Sequence, residues 1–224
     1  QDLGDIFGYG ELNIGRIGIP FTIFAVVGMC NAFNMLDGKD GLLGSVSVII
    51  MCSLLLLLYF NGVIYPWAQI VVLSVVVYLA FNLNFFGQKR KIFLGDHGST
   101  GLGHIIAWSL VFLSQETNYV TPISALWFVL LPLTDAILTF TRRIKSSKSV
   151  FQGDRLHIHH KLSDKGFSDA NIVLICSLFT VLGCAFAIFT NIFESKEYFL
   201  FYGYITLLVM FVLQGFIKPS KDDL

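Results

Sequence analysis

Six stretches of this chain stay apolar for about twenty residues at a time, and that dictates the solvent the fold needs. They are 17–36, 43–60, 67–86, 122–141, 172–193 and 198–217, with a shorter seventh at 101–114. About twenty apolar residues make a helix long enough to cross a hydrocarbon core. Inside a bilayer every backbone polar group must be satisfied by the protein itself, which leaves helices or a closed barrel. These runs are continuous rather than alternating, so helices are expected. The shorter segment follows Gly101 and Gly103 and is expected to be tilted or partly re-entrant. The predicted fold is all-α, a polytopic helical membrane protein with about seven transmembrane helices. Its expected parts are an extracytoplasmic loop over 1–16, one transmembrane domain over 17–217 and a cytoplasmic tail over 218–224.

Composition agrees. Only 13% of the 224 residues are charged, roughly half the load of a soluble domain. The formal net charge is zero, so bulk attraction to nucleic acid is not expected. Cys30, Cys52, Cys176 and Cys184 all lie in apolar runs without metal-type spacing and read as buried thiols. The chain opens on Gln1, and its first sixteen residues are mixed and glycine-containing. That is no signal peptide; it reads as a loop, so upstream helices are expected to be missing.

Lys and Arg set the orientation. With seven spans, the loops around Lys39, 87–100 and 142–171 share one side with the C-terminal tail. That side holds thirteen Lys and Arg residues, against Arg16 and Lys196 on the other. Positive residues favour the cytoplasm, so three polar islands are expected to open there together.

The first island is Asn31-Ala-Phe-Asn34-Met-Leu-Asp37-Gly38-Lys39-Asp40-Gly41-Leu42. On a helix, the three-residue spacing would put Asn34, Asp37 and Asp40 on one face. Their oxygens suit Mg²⁺; the plainer reading is a loop whose aspartates cap the next helix. The second is Phe93-Leu94-Gly95-Asp96-His97-Gly98-Ser99, where Ser99 and Thr100 could cap the following helix. It reads as a phosphate site at a helix N-terminus with Asp96 as metal ligand or base, or as an ordinary turn. The third is Asp154-Arg155-Leu156-His157-Ile158-His159-His160-Lys161. Zinc is one reading. Phosphate recognition is another, with an arginine fork and partly charged histidines; a structural loop is the third. Asp135, inside the fourth long run, either pairs with Arg142 two turns on or reaches the site. His97 reads as solvated, and His104 has no functional reading.

In this order and spacing, Asn31-x-x-Asn34-x-x-Asp37-Gly-x-Asp40-Gly-Leu, Phe93-Leu-Gly-Asp96-x-Gly-Ser99 and Asp154-Arg155-x-His157-x-His159-His160 resemble a known family. It is that of the polyprenyl-phosphate N-acetylhexosamine-1-phosphate transferases, glycosyltransferase family 4. The resemblance covers roughly 20–165. It implies transfer of a sugar-1-phosphate from a UDP-N-acetylhexosamine to undecaprenyl phosphate with release of UMP, to start cell-surface polysaccharide synthesis. It implies Mg²⁺ or Mn²⁺ on Asn34 and Asp96, catalytic roles for Asp37 and Asp40, and diphosphate or sugar binding by Arg155, His157, His159 and His160. It implies a bacterial inner-membrane location with the active site facing the cytoplasm; a homodimer is left open. His-Ile-His-His followed by Lys161, not an acidic residue, favours the UDP-GlcNAc branch over the muramoyl-pentapeptide translocases. One departure stands out. The family's earlier aspartate pair has no counterpart, since Asp2 and Asp5 do not match, so little turnover is expected of this stretch alone. Competing readings are an inactive lipid-phosphate-binding relative, a membrane transporter and, more remotely, a CDP-alcohol phosphotransferase, whose longer aspartate pattern is absent.

Overall fold

The structure is a computed structural model that describes residues 2–117, 119–145 and 157–212. Asp154, Arg155, the end of the last run and the tail 218–224 lie outside the described residues. Within them the chain forms nine α-helices and a single isolated bridge, Asp2 with Asn13. The helices are α1 (Gly18–Leu36), α2 (Leu42–Phe60), α3 (Pro66–Asn82), α4 (Gly95–Gln115), α5 (Pro122–Phe128), α6 (Leu130–Lys145), α7 (Ile158–Asp164), α8 (Asp169–Ile192) and α9 (Glu197–Phe211).

Outward faces are as apolar as the core. Phe24 of α1 is 75% exposed, Leu73 of α3 65% and Leu182 of α8 68%. A helix apolar all round belongs in lipid, and the protein is membrane-embedded. The expected seven spans are not all confirmed. Among the described residues three helices are long and apolar enough to cross, and the bent pair α5–α6 would make a fourth. The helices α3 and α9 are apolar but shorter, and α4 spends its first turns on the polar second island.

Two predicted segments change shape. The run 122–141 is not one helix: α5 and α6 meet at Val129 and are bent by 86°. Pro132 explains the corner. It has no N–H for the carbonyl of Phe128, and its ring would collide with that carbonyl in a continuous helix. The Sγ of Cys184 lies 3.6 Å from the freed oxygen. Gly183 of α8 makes room, since a Cβ there would lie 2.7 Å from the Trp127 carbonyl. The segment 101–114 is part of a 21-residue helix that starts at Gly95. Ser99 and Thr100 therefore do not cap it from outside. They lie inside its opening turns and bond back to the carbonyls of Gly95 and Asp96.

Helices α1 and α4 run antiparallel at close range. A Cβ on Gly103 would sit 2.9 Å from the Cα of Cys30, so the small residue lets two backbones approach. That approach sets the end of α1 beside the start of α4. At the far end of α4, Gln115 exchanges hydrogen bonds with the backbone of Asp2. The N-terminal segment thus lies at the opposite end of the bundle from the polar islands.

Candidate active site

The islands converge on one end of the bundle. Asn34 sits in the last turn of α1, and its Nδ2 donates to Asp96 Oδ1 at 3.1 Å and to Ser99 Oγ at 2.9 Å. An ionised carboxylate only accepts, so the amide nitrogen must face Asp96 and the amide oxygen is left on the other side.

Asp37 and Asp40 do not share a helical face with Asn34. α1 ends at Leu36, Asp37 is its C-terminal cap, and Asp40 follows in the turn. Gly41 closes that turn with φ +78° and opens α2; its left-handed backbone suits glycine. The turn is tied down from outside. Lys91 Nζ lies 2.5 Å from Asp40 Oδ2, and Lys39 Nζ lies 2.6 Å from Asp169 Oδ1 on α8. Asp37 is half-buried. Burial, then the charges of Asp96 and Asp40, hold its carboxyl above the usual carboxylate range.

The third island reaches the same turn through α7. His159 is 2% exposed, and any Cβ added to Gly38 would collide with its Nε2. Both ring nitrogens of His159 are buried with no hydrogen-bond partner among the described residues. Burial, helped by neighbouring His160, pushes its pKa down to about 4. Burial thus favours the neutral ring, which can offer a hydrogen bond. His157 is buried too, with Nδ1 2.8 Å from Asp135 Oδ2, while Asp135 Oδ1 accepts from the backbone N–H of Ile158 at 2.7 Å. Asp135 thus engages the third island itself. The rings of His157 and His159 stack within 5° of parallel, and His160 lies 4.2 Å from His159 centroid to centroid. Stacked rings do not aim their nitrogens at one ion. Among the described residues no three His, Cys, Asp or Glu side chains gather to hold a metal, so the zinc reading finds no support. Arg155 lies outside the described residues.

One contributor escaped sequence reasoning. Asn82, 3% exposed at the end of α3, accepts from the Gly41 N–H at 2.6 Å and donates to the Ile92 carbonyl at 3.0 Å. It staples the Asp40 turn to the strand-like stretch that leads into Asp96. Its signal was a polar side chain inside an apolar run, as for Asp135. Concavity alone would not have found the site. An apolar cleft lined by Phe21, Leu110, Pro122 and Leu126 opens beside Asp2, at the other end of the bundle.

Comparison with known proteins follows the same residues. A sequence model described as glycosyl transferase family 4 matches residues 1–114, which include the first two islands. The undecaprenyl-phosphate alpha-N-acetylglucosaminyl 1-phosphate transferase of Escherichia coli (strain K12) is 35% identical over 220 residues, 97% of this chain and 58% of the relative. The protein of that name from Salmonella typhi is 36% identical over 218 residues, 96% of the chain and 58% of the relative. The one from Haemophilus influenzae is 35% identical over 214 residues, 94% and 60%. The chain therefore spans less than two thirds of the length of these relatives.

Proposed function

The chain belongs to glycosyl transferase family 4, and on that premise we propose that it transfers a sugar-1-phosphate, N-acetylglucosamine-1-phosphate first among candidates, from a UDP-sugar to undecaprenyl phosphate. An oxygen of the lipid phosphate bonds to the sugar-linked phosphorus, the diphosphate bridge breaks, and UMP leaves. The observation that carries this reading is the meeting of Asn34, Asp37 and Asp96 at one end of an apolar bundle, where a lipid phosphate and a water-borne nucleotide can both arrive.

A hard divalent cation, Mg²⁺ or Mn²⁺, would be held by Asp96 and by Asn34 once the amide turns its oxygen toward Asp96 in place of the Nδ2 that faces it here, with Asp37 alongside. Mg²⁺ keeps several waters and takes further oxygens from substrate phosphates, which suits a place where, among the described residues, no three His, Cys, Asp or Glu side chains gather. Burial first, and then repulsion from Asp96 and Asp40, raises the Asp37 carboxyl; a cation there would relieve the repulsive part. When bound, it offsets charge on the diphosphate. The remaining work is positioning. Asp37 and Asp40 line the turn where the phosphates meet, with Lys91 holding Asp40 in place. His159 offers a neutral hydrogen bond to the diphosphate or sugar, with His157, His160 and Arg155 assigned to the same task by motif. The active end is proposed to face the cytoplasm of a bacterial inner membrane. The transporter reading gains nothing from Asp135, whose carboxylate is engaged by His157.

The test is a transfer assay in detergent on the full-length protein, with labelled UDP-GlcNAc, undecaprenyl phosphate and Mg²⁺. Label is expected in the lipid phase and is expected to disappear with chelator. No lipid label from UDP-GlcNAc, UDP-GalNAc or related donors would overturn the reading.

A further inference from the structure

We propose that Asp135 is a positioning residue for the nucleotide sugar, acting through His159 by anchoring the short helix α7 to the bent helix α6. The inference rests on the function proposed above and assigns a task to the buried carboxylate beyond the corner.

Asp135 is 1% exposed and sits one turn after Pro132. Both of its oxygens are spent on the first residues of α7: Oδ2 on His157 Nδ1 at 2.8 Å, and Oδ1 on the Ile158 N–H at 2.7 Å. Seven residues are too few to hold a helix in place unaided, so α7 takes its position from such anchors and from packing on α8. A carboxylate only accepts, so the proton of the His157–Asp135 bond lies on Nδ1. That bond fixes the plane of His157, and His159 stacks on it within 5° of parallel. His159 in turn presses on Gly38, next to Asp37. A purely structural hydrogen bond would leave it at that. Here the chain of contacts ends on an imidazole whose two buried nitrogens have no partner among the described residues, as expected of a group waiting for a polar ligand.

Asp135→Asn separates the two roles. It keeps the shape and an oxygen for the Ile158 N–H, but turns an NH₂ group toward Nδ1 and reverses the tautomer of His157. In the full-length protein, the KM for the UDP-sugar is expected to rise about tenfold, as for other outer partners of site histidines. The KM for undecaprenyl phosphate and the thermal midpoint should stay close to wild type. In a His159→Ala background the same change should add less than twofold to the UDP-sugar KM, because the two act as one unit. A wild-type KM in Asp135→Asn, an equal loss toward both substrates, or full additivity with His159→Ala would each overturn the proposal. Should Asp135→Asn fail to fold, Asp135→Glu keeps the charge and displaces α7 by a methylene; it must show the same UDP-sugar-specific loss, or the proposal falls. A wild-type protein that makes no lipid product would instead sink the proposed function.

Discussion

The amide of Asn34 and the carboxylate of Asp96, 62 residues apart in sequence, meet at 3.1 Å where α1 ends and α4 begins. The proposed cation site is built around this contact. The contact exists because Gly103 lets the two helices close on each other about one to two turns away.

Asp96→Asn should remove the charge while an amide still bonds to Asn34. Turnover is expected to fall at least about a hundredfold, the scale seen when one electrostatic partner of a reaction centre is lost. The thermal midpoint should hardly move, but its rise on adding Mg²⁺ should vanish. Near-normal turnover, or an undiminished Mg²⁺ effect on melting, would remove Asp96 from the metal site.

Gly38→Ala pushes a methyl group into the Nε2 of His159. Overpacking of this kind costs about 1–3 kcal/mol, and the ring or the turn must give way. The expected result is a UDP-sugar KM raised by roughly tenfold with a milder effect on the lipid substrate. An unaltered KM would mean that His159 does not need its place beside the turn.

Asn82→Leu keeps the apolar run intact but strands the Gly41 N–H, which is bonded to Asn82 Oδ1 at 2.6 Å. An unsatisfied buried donor costs about 1–3 kcal/mol. Thermal unfolding in detergent should register a loss on the order of 2 kcal/mol, with activity falling as the Asp40 turn loosens. A leucine variant as stable as wild type would show that the staple is dispensable.

Protonation of His159 supplies a pH dependence whose sign follows from its pKa, lowered from 6.5 to about 4. Above about pH 6.5 the ring is neutral in both folded and unfolded chains and contributes nothing. Between there and about pH 4 the unfolded chain takes up a proton that the folded one refuses. Stability is therefore lost as pH falls through that window, on the order of 3 kcal/mol in all, and the loss levels off below it. His159→Gln should flatten the melting-point profile between pH 7 and 5. A variant that keeps the full slope would assign it to other groups.

Much of the site was legible residue by residue. Asn34, Asp37, Asp96 and His159 could be singled out because polar side chains between apolar runs are rare and each has a cost. Their grouping at one end agrees with the clustering of Lys and Arg on one side of the spans. Helical spacing misled at Asp37 and Asp40, because α1 stops at Leu36 and the periodicity that links them to Asn34 stops with it. Pro132 was in plain view within 122–141, but hydropathy alone reads through a proline; the 86° corner needs Gly183 and Cys184 on α8 to accommodate it.

What the sequence by itself determined is partition: which stretches must be helical and in lipid, and which residues must gather at a water-facing end. That follows because transfer of a segment between lipid and water depends on its own composition. The tertiary structure alone decided where helices stop, that Asp135 engages His157 22 residues away, that Asn82 clamps the Asp40 turn, and that His159 is neutral. Each of these depends on burial and on partners brought from distant helices, which no local stretch of chain encodes.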